Sequence, residues 1–154
     1  MINDAEQNDE ISQSRRLMFE QIDFFKGKGF EFQSEKLSHS SLVGNSIDFR
    51  FYKKDNKITM DVIYNPTLNN NRRSFILNLR KEGMQDEIYL EQFLRIRARD
   101  EFLACFTDEG RALDLKEFWM NFFKMLDCVF AEDLKESVYG KEWAGQKFDW
   151  EGYR

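Results

Sequence analysis

The chain has 154 residues, enough for one domain with a core of its own, and its 16 Phe, five Tyr and three Trp supply large apolar side chains for it. Its apolar runs are too short to span a membrane, and the acidic start "MINDAEQNDEIS" is the reverse of a secretory signal. Two Cys without a CxxC spacing speak against a disulfide framework or zinc site, so a soluble, cytoplasmic protein is expected.

The net charge of −5 hides a division along the chain. Residues 1–25 carry two basic and six acidic side chains, a net of −4. Residues 26–81 carry eleven basic and five acidic, a net of +6. Residues 82–136 carry seven basic and fourteen acidic, a net of −7, and the remainder balances. Such asymmetry bears on partners and association rates rather than on fold.

Residues 1–10 have the composition of a frayed terminus. Met18, Ile22 and Phe25 recur at helical spacing and predict a helix over 11–26, stopped by "KGKG". The period then changes to two. Phe30 and Phe32 predict a first strand, "SHSSLVGNS" (38–46) a polar loop, and Ile47, Phe49 and Phe51 a second strand. Ile58, Met60, Val62 and Tyr64 predict the third.

A turn at Asp55-Asn56 pairs Phe51 with Met60, Phe49 with Val62 and Ile47 with Tyr64 on one face. Arg50 then falls opposite Asp61 on the other face. A slip by one residue would set each apolar row against a polar one, so the register is specified. Pro66 opens an Asn-rich loop, and Phe75, Leu77 and Leu79 predict a fourth strand ended by Gly83.

The rest reads as helix. Glu91, Arg95 and Arg99 form an i, i+4 ladder within "DEIYLEQFLRIRARDEFLACF", with a short strand or a break near Ala98 left open. Asp114 is placed to cap the next helix, with Glu117 three residues on. In "EFWMNFFKMLDCVFAED" and its flanks, Leu115, Phe118, Trp119, Phe122, Leu126, Val129, Phe130 and Leu134 make one apolar stripe. The one-faced sheet is the natural partner of that stripe, and Met120 and Phe123 fall beside it as candidates for a secondary contact. The expected fold is therefore α+β: an N-terminal helix, a four-stranded antiparallel meander, two C-terminal helices on one sheet face, and an aromatic tail over 139–154.

Tempting chemistry fares poorly. Cys105 and Cys128 lie in apolar helical stretches and read as small core residues. His39 is the lone histidine, without a nucleophile turn, and "GKGF" lacks the context of a phosphate loop. No catalytic, metal or cofactor residues are assigned. The acidic pairs Asp86-Glu87, Asp100-Glu101, Asp108-Glu109 and Glu132-Asp133 read first as helix-end charges in solvent. A nucleic-acid module using the basic 50–81 segment is the alternative, with Arg72-Arg73 as its phosphate contact. Against it, the outward row Asp48, Arg50, Tyr52, Thr59, Asp61, Asn78 and Arg80 offers a single aromatic. The tail gathers Tyr139, Trp143, Phe148, Trp150 and Tyr153, either to cover a patch or sheet edge of the domain or to anchor a partner.

A small acidic α+β chain with unevenly placed charge resembles, loosely and over its whole length, the immunity proteins of bacterial polymorphic-toxin systems. No motif carries the resemblance, so it transfers no residues. It implies stoichiometric binding and neutralisation of a cognate toxin, often a basic nuclease, without a cofactor. The expected partner-binding residues, chosen on charge and aromaticity, are Asp100, Glu101, Asp108, Glu109, Asp127, Glu132, Asp133, Trp143 and Trp150.

Overall fold

The computed structural model describes residues 4–40, 44–66, 73–106 and 114–148. An N-terminal helix α1 (Asp4–Glu20) and a short α2 (Ile22–Gly27) precede the strands β1 (Glu31–Ser40), β2 (Gly44–Lys53), β3 (Ile58–Asn65), β4 (Ser74–Lys81) and β5 (Ile88–Tyr89). Helices α3 (Leu90–Ile96) and α4 (Asp100–Leu103), a 3₁₀ turn (Ala104–Phe106), α5 (Leu115–Ala131) and α6 (Lys135–Tyr139) follow. The strands form one antiparallel sheet in the order β1-β2-β3-β4-β5. No helix among the described residues is long and apolar enough to cross a membrane.

The β2–β3 register is the one the alternation dictates. Phe51 pairs with Met60, Phe49 with Val62 and Ile47 with Tyr64, all fully buried. Phe75, Leu77 and Leu79 of β4 continue the same face. Onto it pack α1, α2 and α5. Phe25 stacks on Phe51 with ring centroids 4.1 Å apart, Trp119 meets Tyr64 at 5.2 Å, and Phe122 meets Phe75 edge-on at 4.8 Å. Such offset and edge-to-face contacts are the favourable ones for aromatic rings. The buried Trp119 indole donates to Ser14 Oγ at 2.8 Å, so the one polar atom of that ring is satisfied inside the core. Tyr64 donates its hydroxyl to Glu10, which also accepts from Arg73, and burial holds the Tyr64 hydroxyl well above its ordinary pKa.

Several expectations are corrected. The helix begins at Asp4, not near residue 11, because Gln7 and Ile11 are already buried against the sheet's end, where Gln7 accepts from the Asn45 N–H. The single helix over 11–26 is broken at Gln21. Gly29, at φ 91°, then closes α2 by the 6→1 bond from Phe30 N–H to Phe25 O. Most of the expected 38–46 loop is strand: β1 runs to Ser40 and β2 starts at Gly44. The sheet has a fifth strand, short β5, where helix was expected. The stripe over 115–134 is one helix only to Ala131, although Leu134 remains buried beyond it.

One expected feature holds in detail, and one left open is decided. Asp114 caps α5 by accepting from Glu117 N–H at 3.0 Å, and that bond holds the Asp114 carboxyl below its usual range. The break near Ala98 is real. Ala98 adopts φ 55°, a left-handed geometry uncommon for a residue with a Cβ, and Arg99 N–H closes the turn on Leu94 O.

Candidate functional site

The left-handed turn at Ala98 aims Arg99 at the far end of α5. Its guanidinium donates from Nε to Glu101 at 2.8 Å, from Nη2 to Glu132 at 2.9 Å, and from Nη1 to Asp133. It also stands 4.4 Å from the centroid of the Phe102 ring. One cation thus gathers carboxylates from α4 and from the turn after α5, two segments more than thirty residues apart. Asp100, exposed at the start of α4, adds a fourth acid. With Arg99 counted, this corner carries a net charge of −3. The carboxylates around it hold the Arg99 pKa up, and the Glu101 carboxyl is held below its usual range by its own backbone N–H and by Arg99.

The acids differ in exposure. Glu101 and Glu132 keep 59% and 58% of their side chains in solvent, whereas Asp133 keeps 4%. Asp133 was expected to face outward; it is tucked beneath Arg99 because the chain turns at 132–134 instead of continuing as helix. Asp127 lies on the outer side of α5 and accepts from Lys28 Nζ at 2.5 Å, tying the turn after α2 to α5. Asp108, Glu109 and Trp150 lie outside the described residues. Charge brought forward the acids, but the sequence left Arg99 unmarked as their organiser. The signal was there in the uncertain "RIRAR" segment, since a helix break turns the last Arg off the helical ladder.

Trp143 is half-buried, and its indole N–H donates to Asp86 O at 2.8 Å. Gln146 N–H donates to Glu87 O, Gln92 donates to Lys147 O, and Phe148 meets Tyr89 edge-on at 4.9 Å. Residues 143–148 therefore lie against β5 and α3, leaving part of the Trp143 ring for outside contact. Cys105 is half-buried, and burial pushes its thiol up to about 11, away from the thiolate a nucleophile needs. Cys128, expected in the core, is exposed. It sits two residues past Leu126 and so points away from the stripe. Of the two residues beside the stripe, Phe123 is buried and Met120 is exposed.

The outer face of the sheet carries its own charge network. Asp61 accepts from Arg50 Nε at 2.8 Å and from Arg80 Nη2 at 3.1 Å. Burial, with Asp61 close by, raises the Asp48 carboxyl above its usual range. Asp48 Oδ1, Asn78 Oδ1 and Arg80 Nε are out of water without a hydrogen-bond partner among the described residues. Of the expected phosphate contacts, Arg72 lies outside the described residues, and Arg73 donates to Glu10 at 2.6 Å with 17% of its side chain exposed. Among the described residues, no three His, Cys, Asp or Glu side chains are grouped to hold a metal ion. Comparison of the chain with protein-family models, with curated proteins and with solved structures found no match.

Proposed function

We propose that this chain is a non-enzymatic protein-binding module of the immunity type, which masks a basic surface of a cognate toxin with its acidic helical corner. The observation that carries the reading is the arrangement around Arg99. Glu101 and Glu132 are held in place by a shared guanidinium yet keep more than half of their side chains in solvent. Pre-ordered carboxylates lose less side-chain entropy on binding than free ones, and a net negative corner accelerates encounter with a basic partner. Asp100 extends the negative surface, Asp127 does so only in part because Lys28 pairs with it, and the exposed part of Trp143 is the proposed aromatic contact of the tail. The nucleic-acid alternative has less support, because Arg50, Arg73 and Arg80 each already face a carboxylate of this chain.

The test is co-expression with the product of the adjacent gene. Rescue of growth and a stable one-to-one complex are expected. A charge reversal, Glu132→Lys, should slow association severalfold at low salt and much less at high salt, with the fold unchanged. A neighbour that is not toxic, or toxicity unrelieved by this chain, overturns the reading.

A further inference from the structure

The ends of the sheet are treated differently. Along β5 lies the arm from Trp143 to Phe148, whereas β1, ten residues long, has no strand on its outer side among the described residues. A bare edge of this length offers a row of backbone donors and acceptors to another strand. The bulge between Phe32 and Ser34 leaves Ser34–Ser40 as the regular stretch, and Leu37 is its midpoint. Leu37 is 68% exposed, the highest value among the large hydrophobic side chains of the described residues.

The phase of the backbone follows from Asn45, which pairs with His39 but gives its N–H to Gln7 at 2.9 Å. His39 and Asn45 are thus a pair without mutual ladder bonds, and by alternation Glu35, Leu37 and His39 turn their own peptide groups to the free edge.

We infer that β1 pairs with β1 of a second copy, antiparallel, about a two-fold axis through Leu37. In this register Leu37 meets Leu37 of the second copy, and the pair lies over a cleft of about 400 Å³ lined by Asn8, Ile11, Leu37 and His39 among others. Glu35, already held by Arg15 Nε at 2.7 Å, falls opposite His39 of the second copy, whose Nδ1 bonds Asn45 Oδ1, so no two like charges are set face to face at either end. Lys36 falls opposite Ser38 and meets no like charge. Centring the axis on Glu35 or on Lys36 would instead set two like charges face to face. A two-fold axis normal to the sheet keeps both helical layers on one side, giving a continuous ten-stranded sheet. This interface uses the strand edge and stands apart from the acidic corner.

Sedimentation velocity on the full chain tests the inference. At about 100 µM the expected species has twice the 18.6 kDa monomer mass, and it dissociates on dilution. Leu37→Asp places two carboxylates at the axis and is expected to give a monomer with an unchanged circular dichroism spectrum. In a Cys105→Ala, Cys128→Ala background, Leu37→Cys should form a disulfide-linked dimer under mild oxidation. Directly opposed residues of a hydrogen-bonded pair are about 5.5 Å apart at Cα, within reach of a disulfide. Lys36→Cys, which does not meet itself, should link far more slowly. A wild-type chain that stays monomeric at that concentration overturns the inference. So does a dimer that survives Leu37→Asp, or one that links equally well through residue 36.

Discussion

The two faces of the sheet come from the same strands and obey different physics. On the inner face, Ile47, Phe49, Phe51, Met60, Val62, Tyr64 and Leu79 are wholly buried beneath α1, α2 and α5. On the outer face, Arg50, Asp61 and Arg80 form one small ionic network with Asp48 and Asn78 beside it. Burial of apolar surface is non-directional and spreads its energy over many contacts. The outer network depends on the single carboxylate of Asp61. The inner face should therefore lose stability in proportion to volume removed, and the outer face in proportion to pairing removed.

The largest expected loss is on the inner side. Trp119 touches Tyr64, Phe118, Phe122 and Phe123 and gives its indole N–H to Ser14. Trp119→Ala should cost about 3–5 kcal/mol, read from the urea midpoint with the slope unchanged. A loss of under about 2 kcal/mol would mean that the surrounding rings collapse into the space, and that the inner face is less tightly packed than its distances imply.

On the outer side the expected loss is smaller. The Asp61 side chain is 10% exposed, while its partners Arg50 and Arg80 keep 40% and 42% in solvent. Asp61→Ala removes the shared acceptor, but both guanidiniums swing into water, so about 1–3 kcal/mol is expected. Asp61→Asn, which keeps one acceptor oxygen, should recover part of it. If Asp61→Ala matched the cost of Trp119→Ala, the contrast between the faces would be wrong.

This contrast also separates what the sequence makes legible from what it does not. The β2–β3 pairing could be read because Ile47, Phe49 and Phe51 face Met60, Val62 and Tyr64, and only one register keeps them together. Strand β1 past Phe32 could not, because "QSEKLSHS" carries no alternation of its own; β2 decides its pairing. Cys128 was misread because its residue type outweighed its spacing, which places it off the stripe. At the acidic corner the carboxylates were visible as charge, but their gathering was not. It depends on one left-handed residue, Ala98, and on a turn at 132–134 that converts Asp133 from an outward acid into a covered one. The sequence marks a break in "RIRAR", but a positive φ at a non-glycine position leaves no compositional trace, so where that break aims Arg99 is a tertiary fact.

The smallest effect is the one whose size varies most with conditions. Asp48 lies beside Asp61 on the outer face, and burial, then the negative charge of Asp61, raises its carboxyl above the ordinary range, while Arg50 and Arg80 pull the other way. The folded chain therefore holds a proton on Asp48 at pH values where the unfolded chain has already released it. Across that window stability falls as pH rises, and the penalty is complete once the folded carboxyl has also ionised. Asp48→Asn removes the charge and should raise the melting temperature slightly at pH 7. The gain should shrink to nothing as pH falls below the ordinary carboxylate range, where wild type is protonated in both states. Melting curves of both proteins from acid to neutral pH distinguish this from its opposite. A variant less stable than wild type at pH 7 would show that the attraction of Arg50 and Arg80 outweighs desolvation. Asp48 would then belong to the ionic network as a second acceptor beside Asp61, and the outer face would no longer rest on one carboxylate.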